Sequence, residues 1–290
     1  MPVALSRPLT RAEFVHPISS YVAPICAFAG QRAVVGGTAV IVAPRLAVTA
    51  THVLDELRTQ FGYERSSKSL ELDVYVNQLN TGVCWYVCHA SSWVGTDITV
   101  LSLKARNEAA STAVVQQLLI TVDPPAVGTR VTALGYPSTS LAIPRNDAGV
   151  LEMNFSITPT VSEGEVIEVH RSLRDSVNLR FPCFAVNAEF SAGMSGGAVF
   201  NDSKELCGLV CSGGDGELKH YSHSVSAWPM TLIPVTLPDD IPPYEGIVPS
   251  GSYKMLDLAR LGYIHLKGYE RIEFFKHENG TDGVRHHHAA

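Results

Sequence analysis

GMSGGAVF, residues 193–200, is the stretch that decides the fold, because it puts a serine in a glycine-rich turn that runs directly into an apolar segment. Glycines permit tight backbone geometry, so main-chain N–H groups around Ser195 are able to converge on one point. Such a turn is also common as a plain surface feature, and a serine hydroxyl is a weak nucleophile without an adjacent base. The stretch therefore predicts a nucleophile only where a histidine and an orienting acid accompany it.

Both partners occur upstream of the serine. His52 follows the apolar run LAVTAT at residues 46–51, and Asp97 opens the run DITVLSL at residues 97–103. Apolar runs of this length, bounded by small or polar residues, are typical of strands. The chain order is therefore His52, Asp97, Ser195, with each residue at the end of a predicted strand.

Together these segments resemble the trypsin-like (chymotrypsin-fold) serine peptidases, whose landmarks are Thr-Ala-x-His, Asp-Ile-x-Val-Leu and Gly-x-Ser-Gly-Gly in this order. The resemblance covers residues 30–235 and is closest in pattern to the bacterial HtrA-like and glutamyl-peptidase-like branches, without a PDZ domain. It implies an all-β fold of two six-stranded antiparallel β-barrels with a C-terminal helix and a short extension. The implied regions are a leader (1–25), a first barrel with His52 and Asp97 (26–120), a second barrel with Ser195 (121–238) and a C-terminal connector, helix and extension (239–290).

The resemblance also assigns catalytic roles. It implies that His52 is the general base, that Asp97 orients its ring and that Ser195 is the nucleophile of a peptide-bond hydrolysis passing through an acyl-enzyme. The backbone N–H groups of Gly193 and Ser195 would form the oxyanion hole. The expected activity is that of a serine endopeptidase acting on protein or peptide substrates.

Substrate recognition is assigned in the same way. Glu189, six residues before the nucleophile, corresponds to the base of the primary specificity pocket, and a carboxylate there favours Arg or Lys before the scissile bond; the alternative is that Glu189 faces solvent. Cys211, Ser212 and Gly213 correspond to the strand that pairs with an extended substrate. Cys211 and Ser212 replace the Ser and Trp of the digestive enzymes, so neither the pocket shape nor the polar support for Asp97 carries over from them.

Met194 is a further departure from the digestive enzymes. Relatives activated from a zymogen carry at this position an Asp that pairs with a newly cut amino terminus, and a thioether cannot form that ion pair. Activation by that route is not expected, and VVGG at residues 34–37 is interpreted as a strand before His52 rather than as an activated terminus. Two further hypotheses stay open: a catalytically latent or inactive binding module of the same fold, and a peptidase regulated by a protein partner that orders the turn around Met194.

The chain has six cysteines, at positions 26, 84, 88, 183, 207 and 211. Val53 and Ser191 stand where disulfide-bonded relatives carry cysteines, so the bridges of the family are missing. Cys84 and Cys88 with His89 suggest a metal site, but no second close pair completes a tetrahedral set. We therefore predict free thiols, no metal and no cofactor.

The composition of the chain limits the classes of partner that it is expected to bind. The chain of 290 residues is 46% hydrophobic and 17% charged, and its net charge of −6 is spread without long runs. These values are typical of a globular protein and do not favour nucleic acid or an anionic membrane as a partner. The first residues lack the apolar core of a secretory signal, which together with the missing bridges predicts a cytoplasmic location; a secreted mature fragment is the less favoured alternative.

Local patterns predict four smaller features. Thr10 and Glu13 have the spacing of a capping box for a short helix. Residues 107–119 are predicted as helical. A second helix is predicted from a cap at Ser252 through Leu261, and residues 272–275 are predicted as a strand.

Overall fold

Two closed, six-stranded antiparallel β-barrels dominate the computed structural model, which confirms the predicted all-β fold. Short helices and smaller strand pairs connect or flank the barrels. The structure describes residues 6–10, 13, 20–29, 32–63, 73–78, 82–115, 117–137, 139–142, 154–156, 158–214, 220–276 and 282–287.

The first barrel closes in the strand order β2-β3-β4-β7-β6-β5. The predicted strand at residues 34–37 lies within β3, which confirms that interpretation. A helix, α1 (Thr51–Gln60), follows β4 without an intervening loop. The six strands are β2 (Val22–Ala29), β3 (Arg32–Ala43), β4 (Leu46–Ala50), β5 (Asp73–Gln78), β6 (Val83–Ser92) and β7 (Ile98–Ala105).

The second barrel follows the order β14-β9-β12-β13-β16-β15 and closes through pairing of β14 with β15. Its register shifts between Val210 and Ser212, so one residue of β15 bulges out of the ladder. The six strands are β9 (Arg130–Gly135), β12 (Thr160–His170), β13 (Cys183–Val186), β14 (Ala198–Asn201), β15 (Leu206–Ser212) and β16 (Ser222–Ser226).

The remaining elements extend or brace the barrels. β1 pairs with β12, while β8 and β19 add parallel strands beside β15. The other pairs are β10 with β11, β17 with β18, and β20 with β21. These elements are β1 (Arg7–Pro8), α2 (Glu108–Thr112), β8 (Leu119–Thr121), β10 (Ser140–Ala142), β11 (Asn154–Ser156), β17 (Pro234–Thr236), β18 (Ser252–Lys254), α3 (Met255–Arg260), β19 (His265–Lys267), β20 (Ile272–Lys276) and β21 (Asp282–His286).

Three apolar cores hold the fold together. One fills the first barrel and another fills the second. The largest contains residues from both barrels and from α3. β7 explains how the barrels join, because Leu101 and Leu103 belong to the first-barrel core whereas Ile98 and Val100 belong to the shared one. Residues 98–103 of this strand are all buried, so both of its faces are covered.

The local predictions fare differently. The Thr10 N–H donates to Glu13 Oε2 at 2.8 Å, and the Glu13 N–H donates to Thr10 Oγ1 at 3.3 Å, so the capping contacts are confirmed. The rest of that helix lies outside the described residues. The strand at 272–275 is confirmed as part of β20.

Two helix boundaries were predicted wrongly. The helix expected at residues 107–119 is confined to Glu108–Thr112, because Ala113 turns to an extended backbone with ψ of 123°. Ser252 does not cap the C-terminal helix, because it is held extended by pairing with Thr236. Lys254 is the capping residue instead, and its N–H donates to Asp257 Oδ2 at 3.4 Å. Among the described residues, no helix has the length and hydropathy needed to cross a bilayer.

Candidate active site

Strand register brings His52 and Asp97 together. Ala50, the last residue of β4, pairs with Ile98, the first residue of β7. Because the strands are antiparallel, the residue after Ala50 meets the residue before Ile98, and the Thr51 N–H donates to the Asp97 carbonyl at 3.1 Å. His52 then occupies the first turn of α1, directly above the Asp97 carboxylate.

The carboxylate holds the imidazole through two hydrogen bonds. His52 Nδ1 lies 2.7 Å from Asp97 Oδ2, and the His52 backbone N–H donates to Oδ1 at 3.1 Å. The side chains are only 23% and 11% exposed, so water screens this contact weakly. A carboxylate only accepts hydrogen bonds, so we assign the neutral ring proton to Nδ1, which makes Nε2 the ring nitrogen that carries the lone pair.

The turn that carries Ser195 is fastened to the first barrel. Thr38, on β3, donates its N–H to the Ser195 carbonyl at 2.9 Å and its hydroxyl to the Gly193 carbonyl at 3.0 Å. The Gly196 N–H donates to the Val210 carbonyl at 2.8 Å. The turn carrying Ser195 is therefore held on both sides, by β3 of one barrel and by β15 of the other.

Glycine at position 193 is required by the backbone. Its φ is +88°, and a Cβ there would lie 2.8 Å from the Pro137 carbonyl oxygen. Among the described residues, no acceptor is engaged by the N–H of Gly193 or by that of Ser195. Met194, between them, is fully buried in the core of the second barrel, so apolar packing anchors this turn.

Cys211 gives Asp97 a polar contact, so the expectation that polar support for Asp97 would be lost with the replacement of Ser by Cys was wrong. It is the residue that bulges from β15, and a bulge re-aims a side chain. Its thiol lies 3.2 Å from Asp97 Oδ2 and donates to it. Burial, followed by the proximity of Asp97, raises the pKa of this thiol well above its ordinary value, so the sulfur stays protonated as a donor.

The site opens into a cavity of about 1020 Å³. Ser212 and Gly213, predicted to bind substrate, line it together with Cys211 and the three catalytic candidates. Glu189 is not among its described lining residues; the carbonyl of Glu189 accepts a hydrogen bond from the Ser162 hydroxyl at 2.6 Å. Most of the sequence-predicted site residues therefore meet at this cavity: His52, Asp97, Ser195, Cys211, Ser212 and Gly213. Glu189 and the turn residue Gly193 are not among its described lining residues.

Sequence reasoning missed the far wall of the cavity. Paired residues on four adjacent strands form the row Glu168, Ala185, His223 and Ser212, with the small Ala185 between two larger side chains. Three of the four line the cavity, as does Tyr221, whose ring packs edge-on against His223 at 4.9 Å. No local motif marks this wall, because only the register of separate strands assembles it.

Charges on this wall are mostly matched. A hydrogen bond from Tyr221 is the main cause that lowers the pKa of Glu168, and His170 adds a second bond at 3.0 Å. Desolvation by burial, with Arg174 nearby, lowers the pKa of His223 to about 4. His223 is therefore a neutral imidazole at neutral pH, and its Nε2 has no hydrogen-bond partner among the described residues.

All six cysteines are free thiols, as predicted. Within the described part of the chain, one group of side chains has the composition and spacing to hold a metal ion: His52, Asp97 and Cys211, whose ligand atoms lie within 4.8 Å of one another. Cys84, Cys88 and His89 do not form such a group.

Several known proteins are similar to this chain. A family model described as the trypsin-like peptidase domain matches residues 37–209, more than half of the chain. Among solved structures, the active form of the Rv3671c protease of M. tuberculosis is 19% identical, with 78% of this chain and 86% of that chain covered and a TM-score of 0.46. An inactive mutant form of the same protein, from strain H37Rv, is 17% identical over 78% and 92% of the two chains, also with a TM-score of 0.46. No curated protein matches.

Proposed function

Because the chain belongs to the trypsin-like peptidase family, we propose that it is a serine endopeptidase that hydrolyses protein or peptide substrates through an acyl-enzyme on Ser195. The observation that carries this proposal is the 2.7 Å contact between His52 Nδ1 and Asp97 Oδ2 at a cavity that Ser195 also lines. A carboxylate-held imidazole beside a serine is the arrangement that activates a hydroxyl.

In the proposed reaction, His52 Nε2 accepts the hydroxyl proton as Ser195 Oγ attacks the substrate carbonyl carbon. The proton is then delivered to the leaving amine, and the peptide C–N bond breaks to give the acyl-enzyme. Water attacks this ester with the same proton transfers, which releases the acid and restores the hydroxyl. Asp97 keeps its charge throughout and stabilises the imidazolium that forms in each step.

The oxyanion hole of this proposal consists of the Gly193 and Ser195 N–H groups. Support comes from the left-handed φ of Gly193 and from the absence of an engaged acceptor for either group among the described residues. Donors held in place before reaction need no reorganisation as negative charge develops on the carbonyl oxygen. Removing one such donor typically slows acyl transfer by about 10²- to 10³-fold.

Substrate would lie along the end of β15. The backbone of Ser212 and Gly213 borders the cavity beside the nucleophile, so an extended peptide is able to pair with this edge. The preference for Arg or Lys assigned to Glu189 stays a prediction. The cavity wall that includes His223 and Tyr221 is the better placed candidate for contact with a substrate side chain.

A fluorophosphonate probe tests the nucleophile without knowledge of the substrate. We expect stoichiometric labelling, with the adduct mapped to Ser195, as measured by intact mass and peptide mapping. Ser195→Ala and His52→Ala should abolish labelling, because one removes the nucleophile and the other its base. His89→Ala is the matched control, since His89 is an exposed histidine on β6 away from the cavity and should label normally.

The result separates the competing hypotheses. A folded wild-type protein that takes up no probe would contradict the proposal of a competent resting enzyme and would favour a latent form or a binding module. Labelling at a residue other than Ser195 would refute the assigned nucleophile. Cleavage of an unfolded protein substrate that is lost in Ser195→Ala would extend the result from hydrolase to endopeptidase.

A further inference from the structure

Three different ligand side chains converge behind the ring of His52. Asp97 Oδ2 lies 2.7 Å from His52 Nδ1 and 3.2 Å from Cys211 Sγ, and the three residues each offer a ligand atom within 4.8 Å of the others. They come from separate elements: the first turn of α1, the residue before β7, and the bulge of β15. Each of the three side chains lines the large cavity, so a small ion from solvent reaches them without unfolding.

We infer that His52, Asp97 and Cys211 form an inhibitory binding site for a soft divalent cation, Zn²⁺ or Cd²⁺. The binding itself stands on this ligand set, whereas its inhibitory consequence rests on the proposed function. Imidazole nitrogen, thiolate sulfur and carboxylate oxygen are the ligands that Zn²⁺ takes, and three protein ligands leave the fourth position for water.

Two of the three separations between ligand atoms need only a small adjustment. Zinc bonds are about 2.0–2.2 Å to nitrogen and oxygen and about 2.3 Å to sulfur, so tetrahedral ligand atoms stand roughly 3.3–3.7 Å apart. The present separations of 2.7 and 3.2 Å therefore have to grow by less than about 1 Å. Cys211 is the residue best able to give way, because the bulge leaves it outside the regular ladder of β15.

Protons and charge balance at this site. The Cys211 thiol releases one proton as its sulfur binds the ion, and the imidazole proton moves from Nδ1 to Nε2 as Nδ1 becomes a ligand. Two positive charges on the ion then meet one thiolate and one carboxylate, so the buried site is neutral, which limits its desolvation cost. With its proton on Nε2, His52 cannot accept the proton of Ser195. The serine therefore stays unactivated although the ion does not contact it.

Cadmium chloride with the full chain tests the site, because Cd²⁺ bound to a thiolate gives an ultraviolet charge-transfer band. This band reports sulfur ligation alone, so histidines at the end of the chain contribute nothing to it. We expect one Cd²⁺ per chain with the band, and a fluorophosphonate labelling rate that falls along the same titration curve. Cys211→Ser should remove the band and raise the half-inhibiting concentration at least about tenfold, because a ligand is lost.

Cys88→Ser is the matched control, since Cys88 is a half-buried thiol of the first barrel, and it should behave as wild type. The band does not depend on activity, so Ser195→Ala, which cannot be labelled, should still show it. Absence of the band in wild type, or an equal band in Cys211→Ser, would overturn the site. Loss of the band in Cys211→Ser with an unchanged half-inhibiting concentration would overturn the inhibitory role. If the protein binds Cd²⁺ but is not labelled by the probe, the proposed function is contradicted and the binding site is upheld.

Discussion

Gly196→Ala is expected to impair the proposed activity by pushing the turn that carries Ser195 away from the first barrel. At φ of +80°, a Cβ on residue 196 would lie 2.2 Å from the Thr38 carbonyl oxygen and 2.2 Å from Thr49 Oγ1. Ordinary contact begins at about 3.4 Å, so these atoms have to separate by more than about 1 Å. Thr38 also binds the Ser195 carbonyl, so the displaced turn carries the nucleophile with it.

The magnitude has two parts. A left-handed backbone costs an alanine about 1–2 kcal/mol, and overpacking a tight site costs about 1–3 kcal/mol more. The free energy of unfolding should therefore fall by about 2–5 kcal/mol, which corresponds to a loss of roughly 3–8 °C in Tm for a chain of this size. A misplacement of about 1 Å at the reacting groups should slow fluorophosphonate labelling by about 10²-fold.

Gly62→Ala separates the two parts. Gly62 has a similar φ, +86°, but a Cβ there meets no atom within 4 Å. It should cost about 1 kcal/mol through the backbone alone and leave labelling unchanged. Calorimetry and labelling rates on both variants test this prediction. If Gly196→Ala has the same Tm and the same labelling rate as Gly62→Ala, the predicted clash of the added Cβ with Thr38 and Thr49 does not occur.

Three further changes have expected outcomes. Arg45→Ala removes a buried guanidinium that lies 3.3 Å from the Asp240 carboxylate, and it should lower the free energy of unfolding, measured in denaturant, by about 3 kcal/mol. Loss of the exposed ion pair of Arg260 should lower it by under about 0.5 kcal/mol. Equal losses would contradict the assignment of Arg45 as a buried stabilising contact. His223 has a pKa lowered to about 4 in the folded protein, so between about pH 5 and about pH 6.5 it binds a proton only in the unfolded chain. The free energy of unfolding of the wild type should therefore fall by about 2 kcal/mol between about pH 7 and about pH 5. His223→Gln should lose correspondingly less, and equal losses in pH-dependent denaturation would disprove this contribution of His223. Cys211→Ala removes the thiol donor to the Asp97 carboxylate and should lower the rate of fluorophosphonate labelling about tenfold, with Cys211→Ser close to wild type; identical rates for all three would exclude a supporting bond.

The barrel fold and the histidine and aspartate pair were accessible from sequence because both depend on local signals. β4 and β7 are apolar runs that end at His52 and begin after Asp97, so pairing of the two runs is enough to bring the side chains together. Helix limits were less accessible, because tertiary pairing overrides local propensity. Ser252 is a good capping residue by type, yet pairing with Thr236 keeps it in a strand.

Contacts between distant strands were the least accessible. The bond from Cys211 to Asp97 depends on a one-residue bulge in β15, and nothing in the sequence around Cys211 marks a bulge. The row that brings His223 opposite Ser212 likewise depends on register, which is fixed by packing across the whole barrel. Glu189, six residues before Ser195, is not among the described lining residues of the cavity, and its role as the base of a specificity pocket stays a prediction.

Met194 makes the turn that carries Ser195 insensitive to ionic strength. A turn held by an ion pair loosens with added salt or with titration of either partner, whereas the fully buried thioether of Met194 has no charge to screen or titrate. The hydrogen bonds of the turn to Thr38 and Val210 are likewise made between uncharged groups. The turn should thus keep its shape across a wide range of ionic strength, so added salt is not expected to relax the geometry around Ser195.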